Sequence, residues 1–171
     1  MNLMREIKVE KVTLNIGTGK DQTKLEKGIK LIKNLTGINP IKTVTKKRIP
    51  SWGLRPGLPI GCKLTLRKDA ALKTITRLLA ARDNILQESQ FDENGSIAFG
   101  IPEYIDIPET KYDPEIGMMG LEVCITLERN GFRIKRRKIQ KKKISKKHTI
   151  SKQEAIEFMK NKFKVQIGES E

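Results

Sequence analysis

The chain has one histidine, two cysteines and one tryptophan among its 171 residues, and only 5% of it is aromatic. With His148 as the single imidazole, acid–base or nucleophilic catalysis would have to rest on carboxylates. Cys62 and Cys124 fall singly on separate predicted strands, the pattern of small buried hydrophobes and not of a disulfide framework or zinc knuckle. No run of about 18 apolar residues occurs, so no helix is predicted to cross a membrane. The start, Met-Asn-Leu-Met-Arg-Glu-Ile-Lys-Val-Glu, lacks the apolar block of a signal peptide. These absences lead us to expect a cytoplasmic protein with no metal, no cofactor and no membrane partner.

Charge of one sign is missing from long stretches. Residues 83–128 hold one Lys or Arg against eleven Asp or Glu, whereas 41–82 hold eleven against one and 129–153 twelve against none. The net charge of +15 therefore sits in two basic blocks separated by an acidic one. A solubility device would be spread evenly; blocks this segregated imply a polyanion on one side and something neutral or basic on the other.

What is present suffices for a core. At 37% hydrophobic, a chain of this length fits one domain, residues 1–171. Val12, Leu14 and Ile16 alternate with polar neighbours and predict a strand over 8–16, broken by Gly17-Thr18-Gly19. A helix follows from Asp21, with Leu25, Ile29, Ile32 and Leu35 on one face and Gly37 as its left-handed stop. Asp69 is expected to cap a second helix carrying Ala71, Leu72, Ile75, Leu78 and Leu79. Residues 83–118 read as irregular acidic surface, with a turn at Asn94-Gly95 and a short strand over 96–101. Leu121, Val123, Ile125 and Leu127 predict another strand, and Asn130-Gly131 a hairpin turn into a return strand opened by Phe132 and Ile134. Beyond it Ile139, Ile144 and Ile150 match neither helix nor strand spacing, so 135–149 reads as a mobile basic arm. Ser151-Lys-Gln-Glu is a capping box for a third helix, and 164–167 could add an edge strand. The fold class is α+β, a mainly antiparallel sheet with helices packed on one face, plus the arm.

Thr45 to Arg67 is the most informative stretch. Six of its residues are Gly or Pro, clustered between Ile49 and Gly61, so a loop is held out between two strands. That loop carries Lys46, Lys47, Arg48, Trp52 and Arg55, and the strand after it turns Lys63, Thr65 and Arg67 to one side and Cys62, Leu64 and Leu66 to the other. A ring among cations suits stacking on a base while the charges hold phosphates; the competing reading makes Trp52 a core residue over the sheet edge. The return strand adds Arg133 and the arm adds Lys135, Arg136, Arg137, Lys138, Lys141, Lys142 and Lys143, which would neutralise phosphates, the arm ordering on docking.

Gly17-Thr18-Gly19-Lys20 resembles a phosphate loop only in outline. The nucleotide pattern requires Gly at 14 and Ser or Thr at 21 and finds Leu14 and Asp21, while the dinucleotide pattern finds Gln22. Glu103, Asp106, Glu109, Asp113 and Glu115 alternate with prolines and read as a solvated face or a patch for a basic partner, not as an active site.

Three passages resemble the L-five family of large-subunit ribosomal proteins: Val-Glu-Lys-Val-Thr-Leu-Asn-Ile-Gly-Thr-Gly at 9–19, Gly-Leu-Pro-Ile-Gly-Cys-Lys-Leu-Thr-Leu-Arg at 57–67, and Phe-Asp-Glu-Asn-Gly-Ser-Ile-Ala-Phe-Gly-Ile at 91–101. Asp-Ile-Pro-Glu-Thr-Lys-Tyr-Asp-Pro at 106–114 fits too, and Gly131-Phe-Arg-Ile-Lys-Arg-Arg-Lys resembles the archaeal and eukaryotic branch. The resemblance implies a five-stranded or similar antiparallel sheet, no enzymatic activity, and binding of 5S rRNA and the larger rRNA in the central protuberance of the large subunit. It also implies a loop at 46–58 near P-site tRNA, and as partners the neighbouring ribosomal proteins and the small-subunit head. Family contacts to 5S rRNA match Asn15, Trp52 and Thr65; Ile38 stands where the family often has Gln.

Overall fold

Val12, Leu14 and Ile16 give the strand Ile7–Gly17 (β1) one apolar side, and β1 forms the middle of a five-stranded sheet. The computed structural model describes residues 2–168. After β1 come helix α1 (Gln22–Thr36) and strands β2 (Ile41–Val44) and β3 (Pro59–Leu66). Helix α2 (Lys68–Ala80), strands β4 (Ile85–Gln87), β5 (Ile97–Ile101) and β6 (Leu121–Arg129), helix α3 (Lys152–Phe163) and strand β7 (Gln166–Gly168) complete the order. The sheet runs β2-β3-β1-β6-β5 with every neighbouring pair antiparallel.

Register determines which side chains share a face. Leu64, Leu14, Val123 and Phe99 stand in one row across four strands, all buried, and the next row is Ile41, Lys63, Asn15, Glu122 and Gly100. The buried face is covered by α1, through Leu25, Leu31 and Ile32, and by α2, through Ala71, Ile75, Leu78 and Leu79. Each fully buried leucine or isoleucine there contributes about 2 kcal/mol. Gly28 lets α1 approach closely, since a Cβ would lie 3.3 Å from the Ile16 side chain and 3.4 Å from Cys62 Sγ. Among the described residues no helix covers the opposite face of the sheet.

The first helix ends as its sequence predicts, on Gly37 at φ 73°, and α3 begins on the full Ser151–Glu154 capping box. Other expectations are corrected. Asp21 occupies the cap position of α1 but accepts no backbone bond with its side chain, and Arg67 occupies the cap position of α2, with Asp69 in the first turn. Phe132 to Lys135 is a short 3-10 turn and not a return strand. β6 already has β1 on one side and β5 on the other, so no edge is left for a hairpin partner, and the chain turns away at Gly131, φ 93°. Residues 83–118 are not mere surface. They supply Leu86, Phe91, Ile97, Phe99, Ile101, Tyr104, Ile107 and Ile116 to the core, and the Tyr104 hydroxyl accepts the Asp113 N–H at 3.0 Å. Finally, β7 pairs in parallel with β4 in a separate two-stranded sheet and does not extend the main one.

Gly61 sits where β1 and β3 meet. A Cβ there would lie 2.5 Å from the Ile16 carbonyl oxygen and 3.1 Å from Thr43 Oγ1. Gly61→Ala is therefore expected to destabilise the fold by about 2 kcal/mol or more, read as a lower denaturant midpoint with unchanged slope. An unshifted midpoint would show that the two strands can separate freely at this point.

Candidate nucleic-acid interface

The open face takes its side chains from the polar phase of the alternation that builds the core. Asn15 stands directly opposite Lys63, and Thr65 opposite Thr13, one step along the same face. The Asn15 side-chain amide donates to Glu122 Oε2 at 2.9 Å, which fixes its orientation and leaves its carbonyl oxygen to accept. Lys11 and Thr13 belong to the same phase of β1 and were passed over in the sequence, although extending the alternation from Asn15 reaches both.

At one end of β3 the loop is braced and its tip exposed. Thr45 N–H donates to Leu58 O at 2.9 Å, Gly57 N–H to Thr45 O at 2.9 Å, and Ile49 and Leu54 exchange bonds across a single bridge. Leu54 is buried, a peg that anchors the loop. Pro50–Trp52 forms one 3-10 turn ended by Gly53 at φ 67°, and Trp52 is 66% exposed. Its reading as a core residue is thereby excluded. Lys46, Lys47, Arg48 and Arg55 are all exposed and form no ion pair with any of the described residues. The glycine turn packs beneath this loop: Thr18 N–H donates to Ile60 O at 2.9 Å and Gln22 Nε2 to Pro59 O at 3.2 Å. With the Thr18 amide occupied, the turn serves as a buttress.

At the other end of β3 the basic segment 135–149, expected as a mobile arm, is instead tied to the body: Ile150 is buried, Ile144 packs against the core and Lys142 N–H donates to Ile134 O, so no free arm stands out, although its lysines remain exposed. Phe132 is buried against the His148 ring, centroids 5.7 Å apart, with Lys135 Nζ 5.0 Å from the Phe132 centroid. His148 Nε2 lies 3.0 Å from Asn130 O, so the one histidine is an anchor. Arg136 pairs with Glu10 and with Glu128 at 2.7 Å, and Arg67 pairs with Glu10 at 3.3 Å. Between these anchors Arg137, Lys138, Lys141, Lys142 and Lys143 are exposed, as is Arg133. The structure thus joins Asn15, Lys63, Thr65, Arg67 and Arg136 in one strip along the open face. It places the loop and the anchored basic segment 133–149 at opposite ends of β3, separated by about 25 Å for a strand of this length.

The acidic passage folds back on its own chain. Lys30 pairs with Asp113 at 2.9 Å and with Glu115, and Arg77 pairs with Glu109 at 3.5 Å. The Glu115 and Asp113 hydrogen bonds raise the Lys30 pKa, and Lys30 in turn lowers that of Asp113. Glu103 and Asp106 make no ion pair with the described residues, so the patch free for a basic partner is smaller than the sequence suggests. Burial pushes the Cys62 thiol up to about 11 and raises Cys124 as well, Glu122 adding to the latter. Neither is a reactive thiolate at neutral pH. Among the described residues no cluster could hold a metal ion, and no helix is long and apolar enough to cross a membrane.

One face of the sheet is packed, no helix among the described residues covers the other, and the cations at both ends that form no ion pair among those residues give this surface the charge and shape of one that could lie against a polyanion. Residues 2–55 match the family described as Ribosomal protein L5, and residues 59–158 match the model for the C-terminus of the same ribosomal family. The chain is 49% identical over 165 residues to large ribosomal subunit protein uL5 of Nanoarchaeum equitans, covering 96% of this chain and 97% of that one. It is 47% identical over 170 residues to that of Sulfurisphaera tokodaii, covering 99% and 96%, and 42% identical over 167 residues to that of Methanosphaera stadtmanae, covering 98% and 99%. The chain belongs to the ribosomal protein L5 family, whose members are structural and not enzymes.

Proposed function

We propose that the chain acts as one RNA-binding unit of the large ribosomal subunit in the cytoplasm, its open sheet face and arm binding 5S rRNA and the adjoining large-subunit rRNA. The observation that carries this is the outer face of the five-stranded sheet, which no helix among the described residues covers, with Asn15 opposite Lys63, Thr13 opposite Thr65, and at both ends exposed cations that form no ion pair among the described residues. Backbone phosphates meet Lys63, Arg67 and the arm, while Asn15 and Thr65 supply neutral donors and acceptors for base edges or 2′-hydroxyls. Trp52 presents a ring for stacking from a loop too short and too well braced to fold back over it. The tip of that loop reaches toward P-site tRNA, and Glu103 with Asp106 faces a basic protein, a neighbour in the central protuberance or the small-subunit head.

The test is competition of a labelled 5S rRNA transcript against tRNA and duplex RNA at several salt concentrations. With about eight phosphates contacted, log affinity is expected to fall with log salt at a slope between about −6 and −7, the 5S transcript outcompeting both others. Equal competition by all three RNAs would overturn the 5S reading. Trp52→Ala is expected to weaken the transcript by about 1 to 3 kcal/mol with no loss of thermal stability, because the ring touches water over most of its surface.

A further inference from the structure

A buried carboxylate has the wrong sign for a surface that meets phosphate, yet Glu10 lies at one end of this one, beside Arg67 and Arg136. Its side chain is 5% exposed. β1 shifts register between Val9, opposite Leu127, and Lys11, opposite Thr126, so Glu10 is the extra residue of a β-bulge. Freed from the ladder's alternation, its carboxylate accepts from two arginines that are distant in sequence, Arg67 at the end of β3 and Arg136 at the root of the arm. Glu128 holds the second edge of Arg136. Each guanidinium has five N–H donors. These contacts occupy only Nη1 of Arg67 and one hydrogen on each terminal nitrogen of Arg136, and the two side chains remain 52% and 42% exposed. Lys11 lies next along the same strand.

Two guanidiniums do not gather side by side without a counter-charge between them, and arginine forks match phosphate as they match carboxylate. We propose that Glu10 is a positioning residue that holds Arg67 and Arg136 together as a fork for a single RNA backbone phosphate, fixing the root of the arm to the end of β3. This deepens the RNA-binding reading above and rests on it. The outward N–H groups of both arginines are then aimed before the RNA arrives, so neither side chain has to be ordered on binding. Glu10 acts through the arginines and does not touch the RNA.

The sign of one measurement separates this role from simple electrostatics. Removing a negative charge from an RNA-facing surface strengthens binding by field alone, whereas a lost positioning residue weakens it. Glu10→Gln, with wild-type protein alongside, is titrated with the 5S rRNA transcript at several salt concentrations, with thermal unfolding as a check on folding. The expected result is affinity lower by about tenfold, the worth of one charge-assisted hydrogen bond. Arg136→Ala should produce a similar loss and flatten the salt slope by about one, and Glu10→Gln should add little in that background. Unchanged or tighter binding by folded Glu10→Gln overturns the proposal, because the carboxylate would then only shield the arginines. Should Glu10→Gln fail to fold, Arg67→Ala, Arg136→Ala and the double variant decide: a fork gives a double loss smaller than the product of the singles, and independent effects overturn it. Failure of wild-type protein to bind the transcript would instead overturn the parent reading.

Discussion

Replacing Lys138, Lys141, Lys142 and Lys143 together with glutamine is expected to weaken 5S rRNA binding by about a hundredfold, at roughly 0.7 kcal/mol or more per lost cation, and to leave folding untouched. All four are exposed and none is paired with a carboxylate of the described residues, so their charge does no structural work that glutamine would undo. If two or three of them meet phosphates, the salt slope flattens by about 2 to 3. That slope counts released counterions and so reports contact with RNA more directly than affinity does. An unchanged slope would show that the arm lies away from the RNA and serves only solubility. Keeping the chain length intact matters, because the segment is tied at both ends: Lys142 N–H donates to Ile134 O, and Ile144 and Ile150 pack into the body.

Glu154→Ala is expected to cost about 3 kcal/mol of stability. Arg129 is the residue that decides the magnitude, for its side chain is 5% exposed and continues the inward phase of β6 beyond Leu127. Its Nη2 donates to Glu154 Oε1 at 2.6 Å and its Nη1 to His148 O at 3.4 Å, while its Nε is buried with no partner among the described residues. Taking away one member of a buried pair strands the other charge, typically about 3 to 5 kcal/mol. The lower end applies because Glu154 is 42% exposed and water would replace it. Loss of the capping box, in which Ser151 N–H donates to Glu154 Oε2 at 3.0 Å, contributes about 1 kcal/mol of this. Arg129→Met should by contrast be near neutral, since it removes the buried charge itself; a large loss there would mean that Arg129 stabilises α3 by more than its pairing. The pH dependence has a definite sign. The Ser151 backbone N–H, and after it the Arg129 guanidinium, holds the Glu154 carboxyl below its ordinary 4.5. Its contribution is therefore complete above that value and is lost as pH falls through the lowered one. The stability gap between wild-type protein and Glu154→Gln should accordingly narrow as pH falls below 4.5 and through the lowered value, and a gap that stays constant under acid conditions would place the effect elsewhere.

Much of the fold can be read from neighbouring residues. Alternation at Val12, Leu14 and Ile16, the Gly37 stop and the Ser151 capping box each depend on a few adjacent positions, and each appears in the structure where its sequence puts it. The failures share a different cause. The return strand at Phe132 required a free edge on β6, and whether one exists depends on β1 and β5, far away in sequence. The acidic passage looked like surface because its prolines and carboxylates are conspicuous, while Tyr104, Ile107 and Ile116 between them follow no period that marks a core. Glu10 was invisible for a similar reason, since only the register shift at the bulge turns it toward Arg67 and Arg136.

The sequence by itself determined the local elements, the segregation of charge, the loop that carries Trp52 and the family, because these rest on composition, short-range geometry and motifs read in order. Only the tertiary structure decided that one face of the sheet is left without a covering helix among the described residues, that Asn15, Lys63 and Thr65 share it, that the basic segment after β6 is tied to the body and not a free arm, and that Glu109, Asp113 and Glu115 are engaged within the chain. The reason is physical: which face is covered and which charge finds a partner are set by strand register and helix docking between distant segments, and one residue of slip in either would reverse them.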